Sequence, residues 1–284
     1  MGELKTILLD GVAAREDADF CENAEQADLI LLDFRHLLHD YYRIDRPEKT
    51  VIVDYRDQPQ HVFPDNARLY FKRSVVRSQR DGWMHYEREI TPIAYCVKDA
   101  YANLRHRWPV ERDIDIAVFF RPEDPVTARN RYRSLLARTI ASQFSHLKTF
   151  VGIAGSSGEA GRSGFQPDYF ATMSRARIVA TCNPDHMEGD YRLFEALSSG
   201  ALVLCDRMRT PVTSPFIDHR HLVYYARDNP ETLIGWLNFY LENENRRRAV
   251  AQAGYEHAMA HHTAYHRIGE ILERAAAAGL GDRP

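Results

Sequence analysis

Short apolar runs alternate with amphipathic segments along most of this chain. In its first part the runs are KTILLD (5–10), ADLILLDF (27–34), TVIVD (50–54) and the weaker ARLYFKR (67–73). Continuous apolar runs of this length are typical of strands that are covered on both faces. The alanines and acids of residues 12–26 make that segment a candidate helix. Strands that alternate with crossover helices predict an open parallel sheet.

The pattern restarts near residue 112, after a predicted helix over 92–107. The second series of predicted strands is 115–120, 148–155, 177–182, 201–205 and 221–226. The predicted helices are 129–144, 167–176, one beginning after Asp190, 230–242, 244–260 and 264–277. We therefore predict an α/β fold with two doubly wound, Rossmann-like domains, 1–110 and 111–284, facing a cleft; the last helix is a candidate to pack back on the first domain. Ligands of such sheets bind beyond the carboxyl ends of the strands.

Composition narrows the class of protein. The 284 residues are 44% hydrophobic and 27% charged, which is typical of a globular domain. A net charge of −3 argues against a general basic field for nucleic acid. The four cysteines form no C-x-x-C pair, and three lie in apolar runs, which predicts buried free thiols and a reducing compartment. No apolar run suits a secretory signal or a membrane span, so we expect a cytoplasmic protein.

The stretch GDYRLFEALSSGALVLCD (189–206) predicts a capped helix that leads into a buried strand. Asp190 suits the N-cap, and Gly200 suits the left-handed residue after the helix. Arg192 and Glu195 lie three residues apart. One interpretation is a solvated ion pair worth roughly 0.2–0.5 kcal/mol. The other is a nucleotide site, because a helix N-terminus and an arginine fork favour anions, and a carboxylate one turn later accepts from ribose hydroxyls.

The segment YRLFEALSSGALVLCDR (191–207) resembles the donor-nucleotide motif of GT-B glycosyltransferases. It is most similar to the spore-maturation-protein and exostosin-like group, with the pattern R-x-x-E-A-(L)-x-x-G-x-(L/V)-(L/P). The resemblance extends over residues 112–270, including an H-T-x-x-x-R sequence at 262–267, whereas the first half is similar only in outline. It implies metal-independent transfer of a sugar from a nucleotide sugar, UDP-sugars first, to an acceptor hydroxyl, with no obligatory cofactor.

The resemblance also implies site residues. Glu195 is expected at the ribose and Arg192 at the leaving diphosphate. The candidate nucleotide-sugar residues are Arg121, Arg162, Asp190, Tyr191, Arg192 and Glu195. Arg121 alternatively ends a plain turn, and the Gly/Ser loop 155–164 around Arg162 alternatively lies on the surface. A second glutamate expected eight residues before Glu195 is replaced by Met187, with Glu188 one position off, so the stereochemical outcome stays open.

Acids at the ends of the first-domain strands are candidates for the general base. Asp54 and Asp57 are the preferred catalytic candidates, although acids there also serve as caps and turn formers. His36 and His39 are weaker candidates. His261, His262 and His266 lie at a helix start and have no acid partner, so their spacing does not favour a metal site.

Two other functions fit the sequence. The first is a non-catalytic module that binds nucleotides or sugar phosphates. The second is a phage-type glycosyltransferase of DNA bases, for which Arg73, Arg77 and Arg80 would form a local basic stripe. The expected acceptors are therefore a glycan, a lipid-linked glycan, a protein or, less favoured, DNA.

Overall fold

The computed structural model describes residues 3–35, 44–56, 64–75, 90–102, 111–120, 131–152, 167–184 and 189–281. Its strands are β1 (Ile30–Asp33), β2 (Thr50–Asp54), β3 (Leu69–Lys72), β4 (Thr91–Pro92), β5 (Ile114–Val118), β6 (Thr149–Val151), β7 (Ala176–Ala180), β8 (Leu202–Asp206) and β9 (Val223–Tyr225). Its helices are α1 (Glu3–Ala13), α2 (Asp99–Ala102), α3 (Arg131–Gln143), α4 (Pro167–Ser174), α5 (Tyr191–Ser198), α6 (Pro230–Glu242), α7 (Glu244–His261) and α8 (Ala264–Ala277).

The first sheet has the order β1-β2-β3-β4, with all strand pairs parallel. Its strands confirm the predictions at 27–34, 50–54 and 67–73. Every residue of β2 is buried, as a continuous apolar run requires. The predicted α/β class with two parallel sheets is confirmed.

The predicted strand at 5–10 is wrong, because this segment lies in helix α1. Ile7 is fully buried, Leu8 and Val12 pack against the same core, and Leu9 is 43% exposed. That one-sided burial has helical spacing, whereas a strand covered on both faces would bury Leu9 as well. The apolar face of α1 packs against α8 from the other end of the sequence. The helix predicted over 12–26 is also wrong, because α1 ends at Ala13 and residues 14–26 are not helical.

The helix predicted over 92–107 is also wrong over its first part. Pro92 ends β4, and α2 spans only Asp99–Ala102. The backbone between them finds partners elsewhere: the amide of Ile93 donates to Lys72 O, and that of Val97 donates to His262 O at 2.7 Å. Tertiary hydrogen bonds have replaced the helical ones that the periodicity predicted.

The second sheet has the parallel order β6-β5-β7-β8-β9. All five predicted strands and the predicted helices of this half are present, within a few residues. Alternate strand residues point to opposite faces. Ile116 and Val118 pack with α3, α6 and α7, whereas Ala117 packs with α4, α5 and residues of the first sheet. The order of strands reverses between β5 and β7, the switch point at which ligands of such sheets bind.

Buried arginines join the two halves of the chain. Arg73, fully buried after β3, donates from Nη1 to the carbonyl of Gly189 at 3.0 Å and from Nε to Tyr55 O at 3.1 Å. It therefore does not form the predicted surface stripe; Arg77 and Arg80 lie outside the described residues. Arg267, in the H-T-x-x-x-R sequence, donates from Nε to Ala94 O at 3.0 Å.

The prediction of buried free thiols is confirmed, because Cys96, Cys182 and Cys205 are buried and form no disulfide. Cys21 is also free, and it is exposed. Among the described residues, no helix is both long and apolar enough to span a membrane.

Candidate active site

The carboxyl edge of the second sheet brings α5 close to α3. Asp190 occupies the N-cap position of α5, as predicted, but its carboxylate does not cap the helix. Instead Oδ2 accepts a hydrogen bond from Arg192 Nη1 at 2.5 Å and one from Arg133 Nη2 at 3.3 Å. Gly200 follows the helix with φ +71°, which confirms the predicted left-handed position.

Arg133 and Arg192, called the arginine pair below, form the positive centre of this edge. Both guanidinium groups lie over the ring of Phe120, at 5.3 and 4.5 Å from its centroid. Each Nε is buried and has no hydrogen-bond partner among the described residues. Two cations share the single carboxylate of Asp190, so the group keeps an excess positive charge and unused donors. Such an arrangement suits a phosphate-containing anion.

Glu195 lies one turn further along α5 and is only 3% exposed. Its Oε2 accepts a hydrogen bond from the hydroxyl of Tyr169 at 2.7 Å. The alternative of a solvated Arg192–Glu195 pair is therefore wrong, since one member is buried and the other binds Asp190. Burying a carboxylate is costly unless its environment supplies hydrogen bonds, which indicates that Glu195 has a specific task.

Tyr191 contacts residues from the first half of the chain. Its ring stacks on Tyr95 with centroids 3.6 Å apart, and Lys98 Nζ lies 4.7 Å from its ring centroid. These three residues are buried where the two halves of the chain meet. Tyr191, which was predicted to contact the nucleotide, therefore lies at the junction between the halves.

Asp206 ends β8 and completes the polar edge. Its Oδ1 accepts from the amide of Asn183 at 2.6 Å, and Oδ2 lies 3.4 Å from Arg227 Nε. Burial raises the pKa of this carboxyl to about 6. An open pocket beside Asp206 is also lined by Tyr132 and Arg227. The guanidinium group of Arg227 stacks on the Tyr132 ring, with its carbon 3.9 Å from the ring centroid.

Buried polar atoms without a hydrogen-bond partner concentrate along this edge. Among the described residues they include Arg133 Nε, Thr181 Oγ1, Asn183 Oδ1, Arg192 Nε and Asp206 Oδ2. Each such atom costs about 1–3 kcal/mol when it is left unsatisfied, and folded proteins rarely keep several together. The edge therefore has the polar composition of a ligand site.

Asp54 does not have the surroundings of a general base. It is fully buried, and its carboxylate accepts from Arg56 Nε and Nη2 at 3.0 Å, from the hydroxyl of Tyr70 at 2.7 Å and from Lys72 Nζ at 3.0 Å. Burial alone would raise its pKa, but the hydrogen bonds from Arg56 and the charge of Lys72 outweigh it and lower the pKa. These contacts favour a structural role over the predicted catalytic one.

Other predicted candidates lie outside the described residues. They are His36, His39, Asp57, Arg121, Arg162, Met187 and Glu188, together with the loop 155–164. The C-terminal histidines are described, and His262 and His266 make hydrogen bonds within the fold. Among the described residues no group of histidine, cysteine or acid side chains could hold a metal ion.

Residues 133–273 match the model of the family described as glycosyl transferase-like. Over these residues, just under half of the chain, the protein is glycosyl transferase-like. The matched region begins at Arg133 and contains Asp190, Arg192, Glu195 and Asp206. No curated protein matches the chain.

Solved glycosyltransferases share the fold of this glycosyltransferase. A glycosyltransferase from Rickettsia africae ESF-5 matches with a TM-score of 0.52 and 9% identity, over 81% of this chain and 70% of that chain. An alpha-glucosyltransferase in complex with UDP-glucose and DNA containing an abasic site matches with a TM-score of 0.51 and 10% identity, over 88% and 80%. HepE from Anabaena in complex with UDP matches with a TM-score of 0.46 and 13% identity, over 80% and 72%. The fold is that of GT-B glycosyltransferases.

Three residues of this candidate site were not predicted from the sequence: Arg133, Tyr169 and Asp206. Asp206 could have been predicted from the sequence, because it ends an apolar strand as Asp54 does. Arg133 carried a weaker signal, an arginine in the first turn of the helix after β5. Tyr169 carried none, because its position in PDYFATMS is that of an ordinary amphipathic residue.

Proposed function

We propose that this glycosyltransferase takes its sugar from a nucleoside-diphosphate sugar, with UDP-sugars the first class to test, and transfers it to an acceptor hydroxyl. The observation that carries the proposal is the arginine pair, in which two guanidinium groups converge on one carboxylate and keep unused buried donors. We also propose that residues 111–284 bind the donor and residues 1–110 face the acceptor. The buried free thiols support a reducing compartment such as the cytoplasm.

The proposed chemistry needs a positive group beside the leaving diphosphate. The bond between the anomeric carbon and the diphosphate oxygen breaks, and the electron pair leaves with the diphosphate. The acceptor oxygen bonds to the anomeric carbon, and its proton passes to a base. The arginine pair would stabilise the charge that develops on the leaving oxygen. Arg121 and Arg162 remain proposed additional donors, and Asp57 remains the proposed base.

Glu195 is the proposed ribose ligand. It follows Arg192 by three residues on the same helix, so the two side chains emerge from one face and are separated by about 4.5 Å along the helix axis. A nucleoside diphosphate likewise has its ribose hydroxyls within a few bonds of its phosphates. Asp190 then acts as the shared anchor that holds both arginines in place.

Alanine substitution of the arginine pair tests the proposal. We expect Arg192→Ala to slow the release of UDP from a productive UDP-sugar by about 100-fold, because it removes a donor from the developing charge. Arg133→Ala should act in the same direction. Each variant should also reduce the rise in Tm that UDP gives the wild type, since only ligands that bind the native state raise Tm.

The exposed Arg248 on α7 provides the matched control, because its salt bridge is with Glu244 of the same helix and Arg248→Ala leaves the arginine pair intact. Wild-type turnover in Arg192→Ala would contradict the diphosphate assignment. A rise in Tm with UDP but no turnover with any UDP-sugar and acceptor would instead indicate a binding module. Salt-sensitive binding of DNA would identify a nucleic-acid acceptor.

A further inference from the structure

We infer that Tyr169 is a positioning residue that holds the Glu195 carboxylate in the orientation that binds the ribose of the donor. The inference deepens the proposed function and rests on it. The observation behind it is a buried hydrogen bond between α4 and α5, from the Tyr169 hydroxyl to Glu195 Oε2 at 2.7 Å. These residues are 26 positions apart in the sequence, and only the packing of α4 against α5 brings them together.

The surroundings of Tyr169 fix its hydroxyl. The residue is 8% exposed, and the ring of Phe119 meets it edge to face, with centroids 4.8 Å apart and planes at 63°. Phe119 in turn contacts Phe150 of β6, with the ring centroids 5.2 Å apart. A ring packed in this way has little freedom to move, which keeps its hydroxyl beside the Glu195 carboxylate.

A phenol is well suited to this task. The Tyr169 hydroxyl donates one hydrogen bond to Oε2 and adds no positive charge of its own. With one oxygen held by the phenol, the orientation of the carboxylate is set before the ligand arrives. Such pre-organisation raises affinity because the ligand does not have to order the group.

The test compares ligands that differ by one ribose hydroxyl. The dissociation constants of UDP, 2′-deoxy-UDP and inorganic pyrophosphate are measured by calorimetry on the full chain. In Tyr169→Phe, we expect the preference for UDP over 2′-deoxy-UDP to fall about tenfold, because a hydrogen bond to a charged group no longer orients Glu195. The affinity for pyrophosphate, which reaches only the arginine pair, should stay at the wild-type value.

Tyr70→Phe is the matched control. It removes a buried hydrogen bond from a tyrosine hydroxyl to a carboxylate, which is also 2.7 Å long but lies in the first sheet. The preference for UDP should therefore not change. A second variant carries 3-fluorotyrosine at position 169, which keeps the ring and the hydroxyl and should keep the preference.

The outcomes distinguish the role of Tyr169 from the assignment of Glu195 to the ribose. An unchanged preference in Tyr169→Phe, or a reduced one in the 3-fluorotyrosine protein, would overturn the role of the Tyr169 hydroxyl. The Glu195→Gln variant tests the ribose assignment by itself. If Glu195→Gln keeps the wild-type preference for UDP, the ribose assignment under the proposed function fails, whatever Tyr169→Phe shows.

Discussion

Arg267 is a fully buried cation whose donors are distributed over several elements. Its Nε donates to the carbonyls of Ala94 and Tyr95 at 3.0 and 3.1 Å. Its Nη2 donates to His262 Nδ1 at 2.7 Å, and its Nη1 donates to Glu270 at 2.9 Å. We expect Arg267→Met to lower the free energy of unfolding in urea by about 3–5 kcal/mol, because the substitution leaves buried acceptors unsatisfied.

Arg274 offers the comparison on the same helix, since it is exposed. Arg274→Met should change the free energy of unfolding by less than about 0.5 kcal/mol. Equal effects of the two substitutions would contradict the contacts assigned to Arg267.

At the residue scale, the sequence identified the part of the site that lies on one helix. The three-residue spacing of Arg192 and Glu195 predicted a common face, and the structure places both on α5. Arg133 could not be found this way, because it reaches Asp190 from 57 positions away. Asp54 has the reverse difficulty: its place at the end of a strand predicts a base, and the local sequence does not show that Tyr70 and Lys72 donate hydrogen bonds to it.

At the element scale, α1 and α8 pack closely at Gly11. A Cβ atom on Gly11 would lie 2.3 Å from Ile268 Cγ1 and 2.6 Å from the carbonyl oxygen of Ala264. We expect Gly11→Ala to destabilise the fold by about 1–3 kcal/mol, since the helices must move apart. The measurement is the free energy of unfolding by urea.

Gly235 provides the matched control because it also lies within a helix, α6, but a Cβ atom there would meet no atom within 4 Å. Gly235→Ala should stabilise the protein by about 0.5–1 kcal/mol through helix propensity. Stabilisation by Gly11→Ala as well would contradict the close packing of α1 on α8.

The elements themselves were predictable where local pattern and tertiary environment agree. Strand β2 was predicted to the residue, because the first four residues of TVIVD are β-branched and the whole segment is buried. The segment 5–10 was misassigned because a run of three apolar residues does not distinguish a short strand from one face of a helix. The helix predicted over 92–107 failed because its backbone pairs with β3 and with His262 instead.

At the scale of the whole molecule, a buried histidine makes stability depend on pH. His262 is fully buried, donates from Nε2 to Ser214 O at 2.9 Å and accepts at Nδ1 from Arg267. Burial, reinforced by the charge of Arg267, lowers the pKa of His262 to about 2, from an ordinary value near 6.5. Below pH 6.5 the unfolded chain therefore binds a proton that the folded chain does not, and stability falls as the pH decreases.

The slope for one such group is about 1.4 kcal/mol per pH unit, so His262 should contribute a loss of about 2 kcal/mol between pH 6.5 and 5. Urea unfolding at both pH values measures the loss. His262→Gln should reduce the difference, whereas His146→Gln, at an exposed position, should leave it unchanged. An undiminished difference in His262→Gln would contradict a role for His262 in the pH dependence.

The alternation of strands and helices predicted two parallel sheets, and both are present. It did not predict how closely the halves are joined, since the donors and acceptors of the joining hydrogen bonds come from distant parts of the chain. Arg73 reaches Gly189 across 116 positions, and Arg267 reaches Ala94 across 173. No local pattern marks such pairs.

The packing of α1 on α8 has a consequence for how the protein is made. A ribosome synthesises α1 before both sheets and α8 after them. The first sheet can therefore complete its cover only after α8 has been translated. Contacts this distant are slow to form, because closing a long loop costs entropy before any contact stabilises it. Until then the apolar face around Ile7 stays exposed, which makes it a surface for chaperones to protect.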